Sequence, residues 1–208
     1  MGFVICYAER SVKAKGLNKL AKPNEEKVKQ YFFPDDYEKL SLLFGVQKIE
    51  YQKNPVLFYP GCGVDILLPL KYVEALFPSL RNITFVFSDL DNNFGLIKTV
   101  LDEIGISLAE LKKNTLQFYW NGILVNFTFI QGNVLEILSV LPAFDIYFER
   151  AFRIMKDYLP GYEKSIYEKL KPKGILISDS GFQHVPLEKI KVSQELSAYK
   201  EMIIGVKK

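Results

Sequence analysis

Cysteine and histidine are almost missing from this chain of 208 residues, which contains two cysteines and one histidine. The two thiols, Cys6 and Cys62, are too few for the disulfide framework of a small secreted protein, and they do not make a zinc site. Long hydrophobic runs are also lacking, because no apolar stretch approaches the roughly 20 residues that a membrane helix needs. An excess of one charge is missing as well: the net charge is only +3, which does not select a class of partner.

The remaining composition is that of an ordinary globular protein, with 49% hydrophobic and 25% charged residues. The apolar run at residues 3–8 is short for a signal-peptide core, and no basic region precedes it. We therefore predict a cytoplasmic protein with no membrane partner. Lysines crowd residues 13–29; such a run is usually a solvated face, although it could also contact phosphates.

The most informative pattern is an apolar strand that runs directly into a glycine turn. Residues 56–59 are apolar or aromatic, and Pro60, Gly61, Cys62 and Gly63 follow at once. A continuous apolar run is typical of a central parallel strand that is covered on both faces. Two glycines let the backbone turn sharply and let a ligand approach without meeting a Cβ. The helix expected next would point its N–H groups at whatever lies above the turn.

Downstream of this turn, strand-like and helix-like segments alternate. Strands are predicted at 55–60, 83–89, 116–120, 123–130, 144–149 and 175–179, and two more near 189–193 and 199–206. Helices are predicted at about 65–77, 93–104, 107–113, 134–141 and within 151–171. Asn121-Gly122 lies between two strand-like runs and predicts a hairpin. The alternation predicts an α/β fold with a doubly wound, mostly parallel seven-stranded sheet.

The N-terminal quarter differs from this pattern. Helix starts are predicted near Pro23 and at Asp35 or Asp36, and apolar positions follow helical spacing up to about Phe44. We interpret residues 1–52 as a helical cap that belongs to the same domain as the α/β part, residues 53–208.

Polar residues follow the predicted strands, where a doubly wound sheet binds its ligands. Asp89 and Asp91 follow the second strand, and a carboxylate there can accept hydrogen bonds from ribose hydroxyls. Glu149 and Arg150 come at the end of the predicted strand 144–149, and Asp179 comes at the end of the predicted strand 175–179. Strand ends generally turn polar on leaving the core, so this clustering alone is weak evidence for a site.

The glycine turn resembles that of class I S-adenosylmethionine-dependent methyltransferases. In that family the first strand ends in an acid-x-Gly-x-Gly-x-Gly type motif, and the aligned positions here are Tyr59, Gly61, Gly63 and Asp65. The second strand of the family ends in an acid that binds the ribose, which Asp89 matches. The resemblance implies S-adenosylmethionine as cofactor and methyl transfer to an acceptor that the sequence leaves open: a small molecule, a nucleic acid or a protein.

The resemblance extends over about residues 53–208. In the loop after strand three the family usually has an acid that contacts the adenine amine, and Asn133-Val134 stands there. Residues 144–149 resemble the fourth strand of the family, 171–177 the entry into the fifth, and 199–206 the last, antiparallel strand. The resemblance implies cofactor contacts from Tyr59, Pro60, Gly61, Cys62, Gly63, Asp65, Asp89, Leu90, Asp91, Asn133, Val134 and Glu149.

Three positions depart from the family pattern. Tyr59 replaces an acid and could place its π face near the sulfonium. Asp65 replaces the third glycine; it could face the methionine ammonium or be a plain acid at a helix N-terminus. Asn133 replaces a common Asp and could still hydrogen-bond the adenine. These departures leave open an atypical binding mode, or a domain that has lost its cofactor.

The sequence does not identify a catalytic residue. Glu149 or Asp179 could act as a base if the acceptor must lose a proton, and His184 is a weaker candidate. One alternative is a methyltransferase-like binding module without catalysis. Another, ranked lower, is a haloacid-dehalogenase-type phosphatase in which Asp89 is the nucleophile and Asp91 the acid, with magnesium bound. A dinucleotide dehydrogenase is disfavoured, since Ile66 stands where its third glycine would be.

Overall fold

One nine-stranded sheet forms the centre of the described residues, 7–51 and 54–208, in a computed structural model. Its strands are Val56–Pro60 (β1), Asn82–Asp89 (β2), Ala109–Lys112 (β3), Thr115–Trp120 (β4), Ile123–Gln131 (β5), Phe144–Glu149 (β6), Leu170–Ser178 (β7), Leu187–Ile190 (β8) and Ile203–Lys207 (β9). Its helices are Glu25–Lys29 (α1), Pro34–Lys39 (α2), Leu67–Leu76 (α3), Phe94–Glu103 (α4), Val134–Val140 (α5), Arg153–Tyr158 (α6) and Tyr162–Lys169 (α7). Two 3-10 helices cover Leu40–Gly45 and Gln194–Leu196.

The sheet is doubly wound about β1. The strand order is β3-β4-β5-β2-β1-β6-β7-β9-β8, and β1 is parallel to both β2 and β6. The chain therefore moves outward in one direction after β1 and in the other after β5, which makes the gap between β1 and β6 the topological switch point. The last strand, β9, is antiparallel to β7 and β8, as the resemblance to class I methyltransferases implied.

The predicted count of seven strands is wrong, because the sheet has nine. The predicted helix at 107–113 is also wrong: residues 109–112 form β3, which pairs antiparallel with β4. Only two residues, Lys113 and Asn114, separate β3 from β4. Residues 109–112 can therefore fold back and pair with the edge of β4 that would otherwise be free. Asn114 adopts a left-handed φ of 58°, which closes the tight connection.

The predicted hairpin at Asn121-Gly122 is confirmed. β4 and β5 pair antiparallel from Thr115↔Thr128 to Trp120↔Ile123. Asn121 and Gly122 have φ values of 46° and 85°, and two successive positive φ values are those of the turn that matches strand twist.

Apolar layers cover both faces of the central strands. Leu57 and Tyr59 of β1 belong to the core on the side of α3 and α4, whereas Phe58 belongs to the core beneath α5 and α7. All of these side chains are buried. This confirms that the apolar run before the glycine turn is a strand buried on both faces.

The N-terminal helices pack on the α3–α4 side of the sheet. Val28, Phe32 and Leu43 are buried in the same apolar core as α3 and α4. The segment ahead of them runs along α4, where the Arg10 N–H donates to Thr99 Oγ1 at 3.0 Å. The boundary at residue 52 stays a prediction. Among the described residues, no helix is long and apolar enough to cross a membrane.

Candidate functional site

Hydrogen bonds donated by backbone N–H groups connect the loops that follow β1, β2 and β5. The Gly63 N–H donates to Asp89 Oδ2 at 2.8 Å, and the Asp91 N–H donates to Asp89 Oδ1 at 3.1 Å. The Cys62 N–H donates to the Ser88 carbonyl at 3.2 Å, and the Gly132 N–H donates to the Asp89 carbonyl at 2.8 Å. The register of β2 and β5 ends at the pair Asp89↔Gln131. Asp89 is therefore the residue on which the three loops converge.

The two glycines of the turn have different surroundings. Both have left-handed φ values, 60° at Gly61 and 53° at Gly63. A Cβ added at Gly61 would lie 2.6 Å from the ring of Phe152, whereas one added at Gly63 would meet no atom of residues 7–51 and 54–208 within 4 Å. Among these residues the space directly above the Gly63 backbone is therefore open, whereas the space above Gly61 is filled by Phe152.

Tyr59 is buried in the aromatic core. Its ring packs edge-on against Phe87 and Phe148, with centroid distances of 5.1 and 4.9 Å, and the residue is 2% exposed. Its hydroxyl donates to Asp65 Oδ2 at 3.2 Å. The interpretation that Tyr59 offers its π face to a sulfonium does not fit this packing, because neighbouring rings surround the Tyr59 ring. The hydroxyl instead helps to hold Asp65.

Asp65 lies just ahead of α3, where several polar groups contact it or lie close to it. Besides the Tyr59 hydroxyl, the Leu68 N–H donates to its Oδ1 at 3.2 Å, and Arg150 Nη1 lies 3.9 Å from its Oδ2. Burial raises the pKa of the Asp65 carboxyl, and the positive charge of Arg150 opposes that rise. Both sequence interpretations thus retain support: Asp65 accepts an N–H of the first helical turn, and its charge lies next to the glycine turn.

Cys62 is a buried residue of the turn. Burial raises the pKa of its thiol, and the charges of Asp89 and Asp65 raise it further. A thiol that resists ionisation is a poor nucleophile, so Cys62 serves to fill the turn. Cys6 lies outside the described residues.

The loops after β2 and β5 present apolar and amide groups side by side. Leu90 is 62% exposed next to Asp89, and Gln131 Nε2 donates to the Leu90 carbonyl at 3.1 Å. Asn133 caps α5 by accepting the Leu135 N–H on Oδ1 at 2.8 Å, with Val134 next to it. The Asn133 amide is therefore partly used by the protein, and its NH₂ group is the part that could still donate to a ligand.

Glu149 is enclosed by a polar network that the sequence did not predict. The residue is 1% exposed; its Oε1 accepts from Lys156 Nζ at 2.6 Å and from Ser178 Oγ and Ser180 Oγ at 2.5 and 2.8 Å. Its Oε2 accepts from the Tyr147 hydroxyl at 2.7 Å. These four donors enclose the carboxylate, so Glu149 lies under the strand ends and not at their surface.

The other two proposed bases differ in their surroundings. Both carboxylate oxygens of Asp179 accept the Ala151 N–H at 3.0 Å, and burial raises the pKa of this carboxyl. His184 is exposed, and its backbone N–H donates to Glu163. Sequence reasoning missed Phe152 and Lys156 altogether, although both follow β6 closely, because an apolar residue and a lysine in a short helix carry no motif.

No family model and no curated protein matches the chain. Among solved structures it is similar to a precorrin 8W decarboxylase from Methanobacterium thermoautotrophicum (21% identity, 68% of this chain and 61% of that one, TM-score 0.39). It is also similar to TrmN from Thermus thermophilus (13%, 81% and 46%, TM-score 0.43). A third similar structure is a SAM-dependent methyltransferase from Thiobacillus denitrificans in complex with S-adenosyl-L-homocysteine (13%, 71% and 48%, TM-score 0.40).

The chain thus spans between about half and three-fifths of the length of these three proteins. Its own topology defines the class of fold: a sheet doubly wound about β1, an antiparallel last strand, and a glycine turn at the switch point. These features give the chain the fold of class I S-adenosylmethionine-dependent methyltransferases, in agreement with the resemblance seen in the sequence.

Proposed function

We propose that this chain binds S-adenosylmethionine above Gly63 and transfers its methyl group to an acceptor. The observation that carries the proposal is the pairing of an open glycine with a carboxylate. Gly63 leaves space above the backbone, and Asp89, which is bonded to the Gly63 N–H, lies at the same edge of the sheet. An open space above a glycine, next to a carboxylate, fits a nucleoside whose ribose must be held close to the turn.

Each loop would contribute one part of the cofactor site. Asp89 keeps acceptor capacity beyond its two backbone hydrogen bonds, because a carboxylate has about four lone-pair sites, and it would accept the ribose hydroxyls. Leu90 and Val134 would contact the adenine, and the Asn133 amide would donate to it. Asp65 would face the ammonium. Pro60, Gly61, Cys62 and Tyr59 would shape the turn from below, and Asp91 is the competing carboxylate for the ribose.

The bound cofactor would supply an electrophilic methyl group. The chain itself would need to align the acceptor and exclude water. A base is required only for an acceptor that loses a proton. Asp179 is better placed for that role than Glu149, whose carboxylate is already held by Lys156 and two serines. The sequence leaves the acceptor open, and the cytoplasmic location stays a prediction.

A binding module without catalysis is the second candidate. The observation that favours it is the enclosed state of Glu149, the acid that ends the strand beside the switch point. The phosphatase alternative is weaker. Both oxygens of Asp89 accept backbone N–H groups, which supports a positioning role for this carboxylate more than that of a nucleophile.

Calorimetric titration with S-adenosylhomocysteine tests the proposal. We expect binding by the natural chain, and we expect Asp89→Ala to weaken it by about 1.5–3 kcal/mol, the range for hydrogen bonds to a charged group. Asp91→Ala is the matched control and should leave the affinity unchanged. An effect confined to Asp91→Ala would show that Asp91 is the ribose carboxylate. A folded chain that does not bind up to millimolar ligand would contradict the proposal, and a magnesium-dependent phosphatase assay would then be the next test.

A further inference from the structure

Arg150 connects two separate parts of the chain at the carboxyl end of β6. Its Nη2 donates to Asp36 Oδ2 on α2 at 2.8 Å. Its Nη1 lies 3.9 Å from Asp65 Oδ2, which is within ion-pair range but too long for a hydrogen bond. A guanidinium binds a carboxylate most strongly through two parallel N–H donors, and Asp36 already takes an Nη2 donor of Arg150.

Asp65 and Arg150 together present opposite charges next to the glycine turn. The hydrogen-bond donors to Asp65, the Tyr59 hydroxyl and the Leu68 N–H, are both neutral, so they orient the carboxylate without cancelling its charge. The free α-amino acid end of a ligand carries an ammonium and a carboxylate on one carbon. A carboxylate and a guanidinium that lie side by side without a hydrogen bond match those two groups.

The Asp36 carboxylate already binds the Arg150 guanidinium at the place where a ligand carboxylate would bind. It also lies 3.6 Å from Lys39 Nζ. α2 has no buried residue, so the hydrogen bond from Arg150 is a principal polar attachment of this helix to the strand ends. A cavity of about 60 Å³ lies between these groups, and its lining includes Asp36, Tyr72, Arg150 and Asp179. A small polar group therefore has room beside the guanidinium.

We propose that Arg150 determines specificity for a ligand with an α-amino acid end, and that Asp36 competes with the ligand carboxylate for it. The inference rests on the proposed function, because S-adenosylmethionine and S-adenosylhomocysteine carry such an end. A ligand carboxylate that takes the Arg150 fork displaces Asp36, and α2 then loses its attachment to β6. Ligand binding is thereby coupled to the position of α2.

Two ligands separate this inference from the proposed function. S-adenosylhomocysteine carries the amino acid end, whereas 5′-methylthioadenosine has the same adenosine and thioether without it. In calorimetric titrations of the full chain, we expect Arg150→Gln to weaken the affinity for S-adenosylhomocysteine about 10- to 100-fold, because a charge-assisted hydrogen bond is lost. The affinity for 5′-methylthioadenosine should not change. Asp36→Asn should raise the affinity for S-adenosylhomocysteine and leave the affinity for 5′-methylthioadenosine unchanged, because the charge that competes for Arg150 is gone.

Arg153→Gln is the matched control. Arg153 pairs with Glu201 at 3.2 Å, so this variant removes a nearby positive charge without touching Asp36 or Asp65, and both affinities should stay the same. Equal affinity of the natural chain and Arg150→Gln for S-adenosylhomocysteine would overturn the inference. An equal loss for both ligands would overturn it too, since Arg150 would then support the site as a whole. If a folded natural chain bound neither ligand, the proposed function would fail, and this inference with it.

Discussion

At the scale of single residues, Gly61 and Gly63 are required for different reasons. Gly61→Ala must adopt a left-handed φ, which costs roughly 1–2 kcal/mol, and its Cβ must also displace Phe152, which adds about 1–3 kcal/mol of overpacking. Gly63→Ala carries only the first cost, because no atom of the described residues lies within 4 Å of its Cβ. We therefore expect Gly61→Ala to lower the free energy of unfolding more, and Gly63→Ala to lower mainly the affinity for S-adenosylhomocysteine.

Urea unfolding of the two variants measures the first difference. Phe152→Leu provides the control: combined with Gly61→Ala it should recover part of the stability lost, because the smaller side chain makes room for the new methyl group. Equal losses in the free energy of unfolding for Gly61→Ala and Gly63→Ala would contradict the prediction. The left-handed φ would then account for the whole loss at both positions.

At the scale of elements, a buried ion pair between Lys156 and Glu149 attaches α6 to the sheet. Lys156 of α6 has a side chain that is only 7% exposed; it donates to Glu149 of β6 and to the carbonyls of Ser180 and Gly181. None of the residues Arg153–Tyr158 belongs to the apolar core. Removing one partner leaves the other charge buried, so we expect Lys156→Met or Glu149→Gln alone to cost about 3–5 kcal/mol.

The double variant distinguishes a true pair from two independent contacts. We expect Lys156→Met combined with Glu149→Gln to lose less than the sum of the single losses, by about 0.5–3 kcal/mol. Lys164→Met is the exposed control on α7, and its free energy of unfolding should stay within about 0.5 kcal/mol of the natural chain. Strict additivity in the double variant would contradict the pairing.

Sequence reasoning succeeded at this scale where a periodic pattern met a turn signal. The apolar run of β1, the Asn-Gly hairpin and the acid that ends β2 all follow from local rules. It failed at β3, because a four-residue edge strand depends on the free edge of β4 and not on its own residues. It also failed at the network around Glu149. Tyr147 lies two residues before Glu149 on β6, but Lys156 comes from α6, and Ser178 and Ser180 come from the end of β7 and the loop after it. No spacing in the chain indicates that these last three side chains meet at Glu149.

The same limit applies to the site. The turn and Asp89 were predicted because each belongs to a strand end, but the contact between Asp36 and Arg150 joins residues 114 positions apart. Tyr59 was assigned to the ligand on the strength of its position in the motif. Its alternation along β1 places the ring on the α3 side of the sheet, where it packs against Phe87 and Phe148.

At the scale of the whole molecule, the N-terminal segment and the sheet share one core. Phe32 is 3% exposed and belongs to the apolar cluster that includes α3 and α4. Truncating a buried Phe to Ala costs about 3–5 kcal/mol. If the predicted cap, residues 1–52, folds as part of the same domain as residues 53–208, Phe32→Ala must destabilise both together. We expect one cooperative thermal transition, shifted to lower temperature and followed equally by Trp120 fluorescence and by helical circular dichroism.

Trp120 is the only tryptophan of the chain and lies at the end of β4. Its fluorescence therefore reports the unfolding of the sheet, far along the sequence from the substitution at Phe32. Phe33→Ala is the control, since Phe33 is half exposed next to Phe32 and its truncation should shift the transition much less. An early change in circular dichroism, with the tryptophan signal unchanged until a later transition, would mean that the N-terminal helices unfold on their own. The boundary at residue 52 would then separate two folding units, and the attachment of α2 through Arg150 would be a contact between them.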